Sequence, residues 1–130
     1  MSGISLGLKN LARQLKVPIV LLTQLNRAIE NRADKRPLLS DIRESGSVEQ
    51  DADIIMFIHR PERVGEETYN GIDAKGLAVI DIAKQRNGEI GQFLLNYDHD
   101  FTRFRNYLGE DRCDTLEEKT LENPSFWQDF

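Results

Sequence analysis

Three short stretches hold the residue types from which phosphate chemistry is built. Gln24 closes the run Ile19-Val20-Leu21-Leu22-Thr23; Arg43, Glu44 and Gly46 lie inside the polar segment from Ser40 to Asp53; Lys84 and Arg86 flank Gln85 just before Asn87-Gly88. A terminal amide can donate to a phosphate oxygen or a water while accepting elsewhere. An arginine offers a fork of donors, and a glycine lets backbone N–H groups come close to an anion. Contacts of that kind follow a nucleic-acid backbone without reading its sequence. Lys84 and Arg86 stand two apart on a strand-like run, so both point to one face. A guanidinium does not lose its proton and so offers a permanent positive charge there. Taken singly, each group also fits a plainer role: a strand-end amide in solvent, a capping cluster, a pair of surface cations beside a turn.

The elements that must carry these residues follow from pattern. Ile4, Leu8, Leu11, Ala12 and Leu15 recur at helical spacing, with Lys9, Asn10, Arg13, Gln14 and Lys16 opposite, which predicts an amphipathic helix from Ser5 to Lys16. Val17-Pro18 stops it. The unbroken apolar run from Ile19 to Thr23 predicts a strand buried on both faces, as in a parallel sheet covered by helices, and ligands collect beyond the carboxyl ends of such strands. Residues 26–37 read as a solvated loop whose Arg27, Arg32, Lys35 and Arg36 widen a basic surface. Ser40-Asp41 can cap a short turn, and Ser45 to Ala52 reads as a short helix with Ser47 and Gln50 at capping-box spacing. A buried strand from Asp53 to His59 follows, then a Gly- and Pro-marked loop from Arg60 to Gly76. Leu77 to Lys84 and Gly91 to Tyr97 read as a hairpin across Asn87-Gly88, with one more strand from Phe101 to Tyr107. The fold class is α/β: parallel strands flanked by helices, then an antiparallel hairpin or meander.

Composition narrows the function classes. The net charge is −5, but residues 1–106 hold 15 basic and 15 acidic side chains, and the 2 basic and 7 acidic ones beyond carry the whole excess. A neutral body leaves room for a local basic nucleic-acid site. No apolar run approaches the roughly 20 residues needed to cross a bilayer. The single cysteine, Cys113, has no partner for a disulfide and no metal-ligand spacing around it, which fits a reducing, cytoplasmic setting. His59 and His99 lack partners at metal or triad spacing and are expected to be structural. Residues 1–108 form the domain, and 109–130 an acidic tail with Phe126-Trp127 near its end.

Together, Leu22-Thr23-Gln24-Leu25-Asn26-Arg27, the run from Arg36-Pro37 to Asp53, and Ala83-Lys84-Gln85-Arg86-Asn87-Gly88 resemble, in order and spacing, the C-terminal half of the motor domain of DnaB-type replicative DNA helicases. The resemblance implies a partial RecA-like fold of the P-loop NTPase type. It also implies ATP-driven unwinding by a ring hexamer of identical subunits on single-stranded DNA, with a helicase loader and primase as further partners. Gln24 would be the sensor of the γ-phosphate. Arg43, Glu44 and Gly46 would form the DNA-binding loop, and Lys84 and Arg86 the trans-acting pair that reaches a neighbouring subunit's ATP site.

The sequence also departs from a whole helicase. It has no GxxxxGK followed by Ser or Thr; Gly3-Ile4-Ser5-Leu6-Gly7-Leu8-Lys9 only echoes one, and Leu77-Ala78-Val79-Ile80-Asp81 only imitates the metal-binding acid that follows an apolar strand. The expectation is therefore a fragment lacking Walker A and Walker B. ATP and Mg2+ serve the complete helicase, and this stretch by itself neither binds nor hydrolyses ATP. Two alternatives stand beside it: a non-catalytic RecA-like module that binds single-stranded DNA or caps a helicase ring, and an interaction domain whose acidic tail meets a basic partner.

Overall fold

The computed structural model describes residues 2–42 and 45–109. Helix α1 (Ser2–Leu15) begins three residues before the expected start and stops where Pro18 requires, with Lys16 in the left-handed region (φ 54°) and the Val17 amide donating to Ala12 O at 3.1 Å. Helix α2 (Ser45–Asp51) matches the expected short helix, but Ser47 is its third residue and not its cap. Six strands follow: β1 (Ile54–His59), β2 (Thr68–Tyr69), β3 (Ile72–Asp73), β4 (Leu77–Gln85), β5 (Gly91–Asp98) and β6 (Arg103–Asn106). Strands β1, β4, β5 and β6 form one sheet in the order β1-β4-β5-β6, and β2 and β3 a separate ribbon.

The β1–β4, β2–β3 and β5–β6 pairings are all antiparallel. The expected parallel, doubly covered strand at Ile19–Thr23 is not formed among the described residues. That segment has no regular secondary structure, with Val20 82% and Leu22 89% exposed. Its apolar run predicts two-sided burial, yet a parallel strand needs a hydrogen-bonded neighbour on its flank, and only Leu25, in an isolated antiparallel bridge to Ile42, finds one.

The chain divides into two compact units. Among the described residues the first comprises 2–42, 45–59 and 79–93. Its core is Ile42, Val48, Ile55 and Phe57, with Leu25, Leu39, Ala52 and Ala83 packed around it. Burial of each large apolar side chain there contributes about 1.5–3 kcal/mol. Strand β1 alternates strictly: Ile55, Phe57 and His59 are buried, while Ile54, Met56 and Ile58 stay open. Helix α1 packs on α2. The side it presents is Ser5, Leu8, Lys9 and Ala12, whereas Ile4, Leu11 and Leu15 of the expected apolar face are open. The contact is polar at its centre, since Ser5 Oγ donates to Asp51 Oδ2 at 2.5 Å.

Among the described residues the second unit comprises 60–78 and 94–109, with Tyr69, Ala74, Leu77 and Ala78 buried; Cys113 and the acidic tail from residue 110 lie outside the described residues. The expected loop from Arg60 to Gly76 contains structure. A 3-10 turn (Pro61–Val64) is followed by the β2–β3 hairpin, whose Asn70 and Gly71 both have positive φ (49° and 80°). Two successive left-handed residues are what a tight two-residue hairpin turn demands. The Asn87-Gly88 pair is not such a turn: neither residue has positive φ, and β4 and β5 are joined by the five residues 86–90. The Arg60 guanidinium lies 3.7 Å from the Tyr97 ring centre, Tyr97 meets Phe104 edge-on at 5.2 Å, and Arg105 pairs with Asp98 at 3.1 Å. His59 is buried, and His99 is exposed, with its side chain 82% accessible.

Candidate functional site

Within the first unit, α2 is the element around which the predicted site residues gather. A helix leaves its last carbonyls without intrahelical partners. Here three consecutive ones are taken by cations from other elements: Lys84 Nζ donates closely to Glu49 O, Arg86 Nη2 donates to Gln50 O at 3.2 Å, and Lys9 Nζ donates to Asp51 O at 2.7 Å. Cations at this end also oppose the negative pole of the helix dipole. Lys84 and Arg86 therefore do share a direction, as their spacing predicts, but Arg86 lies just past the end of β4 and neither stands free in solvent.

A register shift sharpens the aim of this pair. Ile55 faces Lys84 and Met56 faces Ile82, so Ala83 is an extra, bulged residue in β4. Bulges re-aim the side chains beside them. Lys84, Ala83, Glu49, Gln50, Leu39 and Gly46 line one open hollow of about 490 Å³. It brings Gly46, from the predicted DNA-binding loop, alongside Lys84, from the predicted trans-acting pair. Gly46 is exposed in the first turn of α2, and a Cβ built on it meets nothing within 4 Å. Nothing in the described chain requires a glycine there. Arg43 and Glu44 lie outside the described residues.

Gln24 is exposed and precedes the Leu25–Ile42 bridge. The Asn26 amide donates to Asp41 O at 2.7 Å. The sensor candidate is thus stitched to the strand-like residues that lead into positions 43 and 44. Arg32 supports this stitch instead of widening a basic surface. Its guanidinium grips both oxygens of buried Asp41, Nη1 at 2.8 Å and Nη2 at 2.9 Å, and the same carboxylate accepts from the Leu38 amide at 2.7 Å. Residues 26–37 are accordingly ordered through a 3-10 turn (Arg27–Asn31) capped by Asn26, and Pro37 is buried. The short turn Leu39–Asp41 is tied by Asp41 reaching back to the Leu38 amide, so aspartate, not Ser40, does the capping.

Two residues near the site are not among the predicted site residues. Lys9, on the face of α1 that periodicity turns to solvent, is only 14% exposed and also meets Asp53 Oδ1 at 3.0 Å. Asp53 in turn lies 3.4 Å from Arg86 Nη1, and its backbone carbonyl accepts from the Arg86 amide at 2.9 Å. The hydrogen bond from Lys9, aided by the charges of Lys9, Arg86 and Arg13, holds the Asp53 carboxyl below the ordinary carboxylate range. A cation at helical spacing from Ser5 and Ala12 on the inward side is the available signal for Lys9. Nothing in the sequence marks the bulge.

For ATP and Mg2+ the fit is one-sided. Gly3–Lys9 lies within α1 and so cannot wrap a phosphate as a loop, and among the described residues no group of three His, Cys, Asp or Glu is placed to hold a metal ion. The described residues that could meet an anion here are the cations Lys84 and Arg86, both on the last carbonyls of α2. Among the described residues no helix is long and apolar enough to cross a membrane.

Comparison with known proteins bears on the same stretch. The profile of a family described as DnaB-like helicase C terminal domain matches residues 1–106. The chain is 57% identical over 104 residues to the replicative DNA helicase DnaB of Buchnera aphidicola subsp. Baizongia pistaciae, covering 80% of this chain and 22% of that one. It is 50% identical over 105 residues to the replicative DNA helicase DnaC of Bacillus subtilis, covering 81% and 22%. The chain thus spans about a fifth of the length of these relatives. Among solved structures, a DnaB-like replicative helicase described with its interactions with primase superposes with a TM-score of 0.74 at 43% identity, over 82% of this chain and 24% of that one. A second solved structure, described as an ATPase domain, gives the same score and identity over 82% and 36%.

Proposed function

Because the chain belongs to the DnaB-like helicase C-terminal domain family, we propose that it is the trans-acting and DNA-facing portion of an ATP-driven replicative helicase motor of RecA-like fold. In this reading Arg43, Glu44 and Gly46 hold the phosphates of single-stranded DNA. Gln24 senses the γ-phosphate, and Lys84 and Arg86 meet nucleotide bound by the next subunit of a ring hexamer. ATP and Mg2+ are cofactors of the complete helicase, bound where a phosphate loop and a metal-binding acid complete the site. Primase and a helicase loader are partners of that assembly.

The observation that carries this reading is α2 itself. One seven-residue helix has Gly46 in its first turn and Lys84 and Arg86 on its last carbonyls. About 5–6 Å of helix therefore separates Gly46, where a DNA phosphate would sit, from the carbonyls that hold the cations meant to meet a nucleotide phosphate. The Leu25–Ile42 bridge attaches the third group, Gln24, to the same loop.

The chemistry asked of these residues is electrostatic. Arg86 places a fixed positive charge where negative charge spreads over the phosphoryl oxygens in the transition state, and such preorganised charge lowers the barrier without reorganising at the moment of reaction. Lys84 adds a compact second charge. The loop follows the DNA backbone by phosphate contact, so its binding is expected to be independent of sequence and steep in salt.

Fluorescence anisotropy with labelled oligo-dT and mixed-sequence single strands at low salt tests the DNA arm. The chain is expected to bind both alike, with Arg43→Ala weakening both equally and reducing the salt slope by about 1. No binding, or binding unchanged by Arg43→Ala, overturns that arm. A phosphate-release assay tests the nucleotide arm: DNA-stimulated turnover by this chain alone would mean that it holds a complete ATP site, contrary to the purely trans-acting role.

A further inference from the structure

Arg86 sits one residue beyond β4, at the start of a five-residue connection, where an arginine side chain would ordinarily sample many rotamers. Three contacts narrow it. Its amide donates to Asp53 O at 2.9 Å, its Nη2 donates to Gln50 O at 3.2 Å, and its Nη1 lies 3.4 Å from Asp53 Oδ1. Asp53 thus brackets Arg86 from both its backbone and its side chain.

The bracket is itself held. Lys9 Nζ donates to Asp53 Oδ1 at 3.0 Å and to Asp51 O at 2.7 Å, and its side chain is largely covered. The strong hydrogen bond to the Asp53 carboxylate therefore comes from Lys9, and Arg86 stands in the field of that carboxylate at ion-pair distance. The Asp53 and Arg86 side chains are both substantially open to water. Exposed ion pairs contribute little to folding, so the consequence of this arrangement is orientation more than stability. A loose charge pair can aim a guanidinium without retaining it once a phosphate, bearing more charge and three oxygens, comes within reach.

We propose that Asp53, fixed by Lys9, is a positioning residue that presents Arg86 for its contact with the neighbouring subunit's phosphoryl group. This rests on the reading of Arg86 as the trans-acting arginine. Asp53 does not itself touch nucleotide. Its role is to reduce the conformations Arg86 must give up when the phosphate arrives, and misplacement of a reacting group by about 1 Å can cost on the order of 100-fold in rate.

The test uses the complete hexameric helicase carrying this stretch. Asp53→Asn keeps the shape and the backbone carbonyl but removes the charge. It is expected to lower DNA-stimulated kcat about tenfold, part of the range that misplacement can produce, with KM for ATP and single-stranded DNA affinity unchanged and the melting temperature lowered only by the small contribution of an exposed ion pair. Asp53→Glu should recover most of the rate, and Lys9→Met should move kcat in the same direction as Asp53→Asn. In an Arg86→Ala background, Asp53→Asn should cost nothing further, because coupled residues are not additive. Wild-type turnover in Asp53→Asn overturns the inference. So does an equal loss with and without Arg86, or a loss confined to KM. If Arg86→Ala itself turns over at the wild-type rate, the trans-acting reading fails and takes this inference with it; a loss in Arg86→Ala beside full activity in Asp53→Asn removes the positioning role alone.

Discussion

Replacing Gly46 by alanine separates what the fold needs from what DNA needs, because the two effects are expected to have opposite signs. Gly46 lies in α2 with φ outside the left-handed region, and a Cβ added there meets no atom of the described chain within 4 Å. Alanine is therefore free of clash and strain. In a helix it is favoured over glycine by about 0.5–1 kcal/mol, mostly through the backbone entropy that glycine loses on folding. With a urea dependence of about 1–2 kcal/mol/M for a chain of this size, the unfolding midpoint should rise by about 0.5 M. If a DNA phosphate approaches the backbone at this turn, the new methyl group occupies that approach and weakens a hydrogen bond to a charged acceptor. Such a bond is worth about 1.5–3 kcal/mol, so affinity for single-stranded DNA should fall at least about tenfold. Urea unfolding followed by circular dichroism and anisotropy at fixed low salt give the two numbers on the same preparation. A protein that is more stable and binds equally well would refute the close-approach role of Gly46. One that is less stable would refute the helical placement.

Two further substitutions probe the supports of the site. Arg32→Ala removes two charge-assisted bonds from buried Asp41, whose remaining carboxylate partner among the described residues is the Leu38 amide. A loss of about 2 kcal/mol is expected in urea unfolding, below the 3–5 kcal/mol of fully buried pairs because a third of the Arg32 side chain is exposed. Hydrogen exchange should quicken first at the Asn26 amide, which bonds Asp41 O. For Asp53 the sign follows from its lowered pKa, caused first by the hydrogen bond from Lys9. The charged form is favoured in the folded state, so the stabilisation is complete above the unfolded carboxylate value of about 4. It is lost as pH falls through the lower folded value. An NMR titration should place the Asp53 carboxyl below the ordinary aspartate range, and Lys9→Met should return it toward that range.

The candidate site residues are picked out in the sequence by local chemistry: an amide at the end of an apolar run, Arg43, Glu44 and Gly46 in a polar segment, two cations at strand spacing. Their supports are less so. The apolar run Ile19–Leu22 reads as a buried strand because composition reports what a segment can bury, not whether a neighbour is present to bury it. Asn87-Gly88 carries the strongest hairpin signal, yet Asn70-Gly71 is the pair with both residues left-handed. The dipeptide permits that turn, and the spacing of the flanking strands decides where it forms. Lys9 reads as solvated only if the apolar side of α1 is its inward side; the helix instead turns Ser5, Leu8, Lys9 and Ala12 to α2, where orphan carbonyls and two aspartates need donors. The bulge at Ala83 leaves no mark in the pattern, since an extra residue in a strand is visible only in the register of its partner.

A helix of seven residues is far shorter than the roughly 12–15 that hold in water unaided. The order of α2 is therefore borrowed from its contacts, and three of those are the cations on its final carbonyls. In the proposed motor this makes helicity a shared thermodynamic variable. Nucleotide that draws Lys84 and Arg86 outward withdraws the C-terminal caps of α2, and DNA that tightens its first turn strengthens the seat to which those cations return. Coupling between binding sites is reciprocal by necessity. Whatever factor nucleotide in one subunit imposes on DNA affinity through α2, DNA must impose on that nucleotide in return.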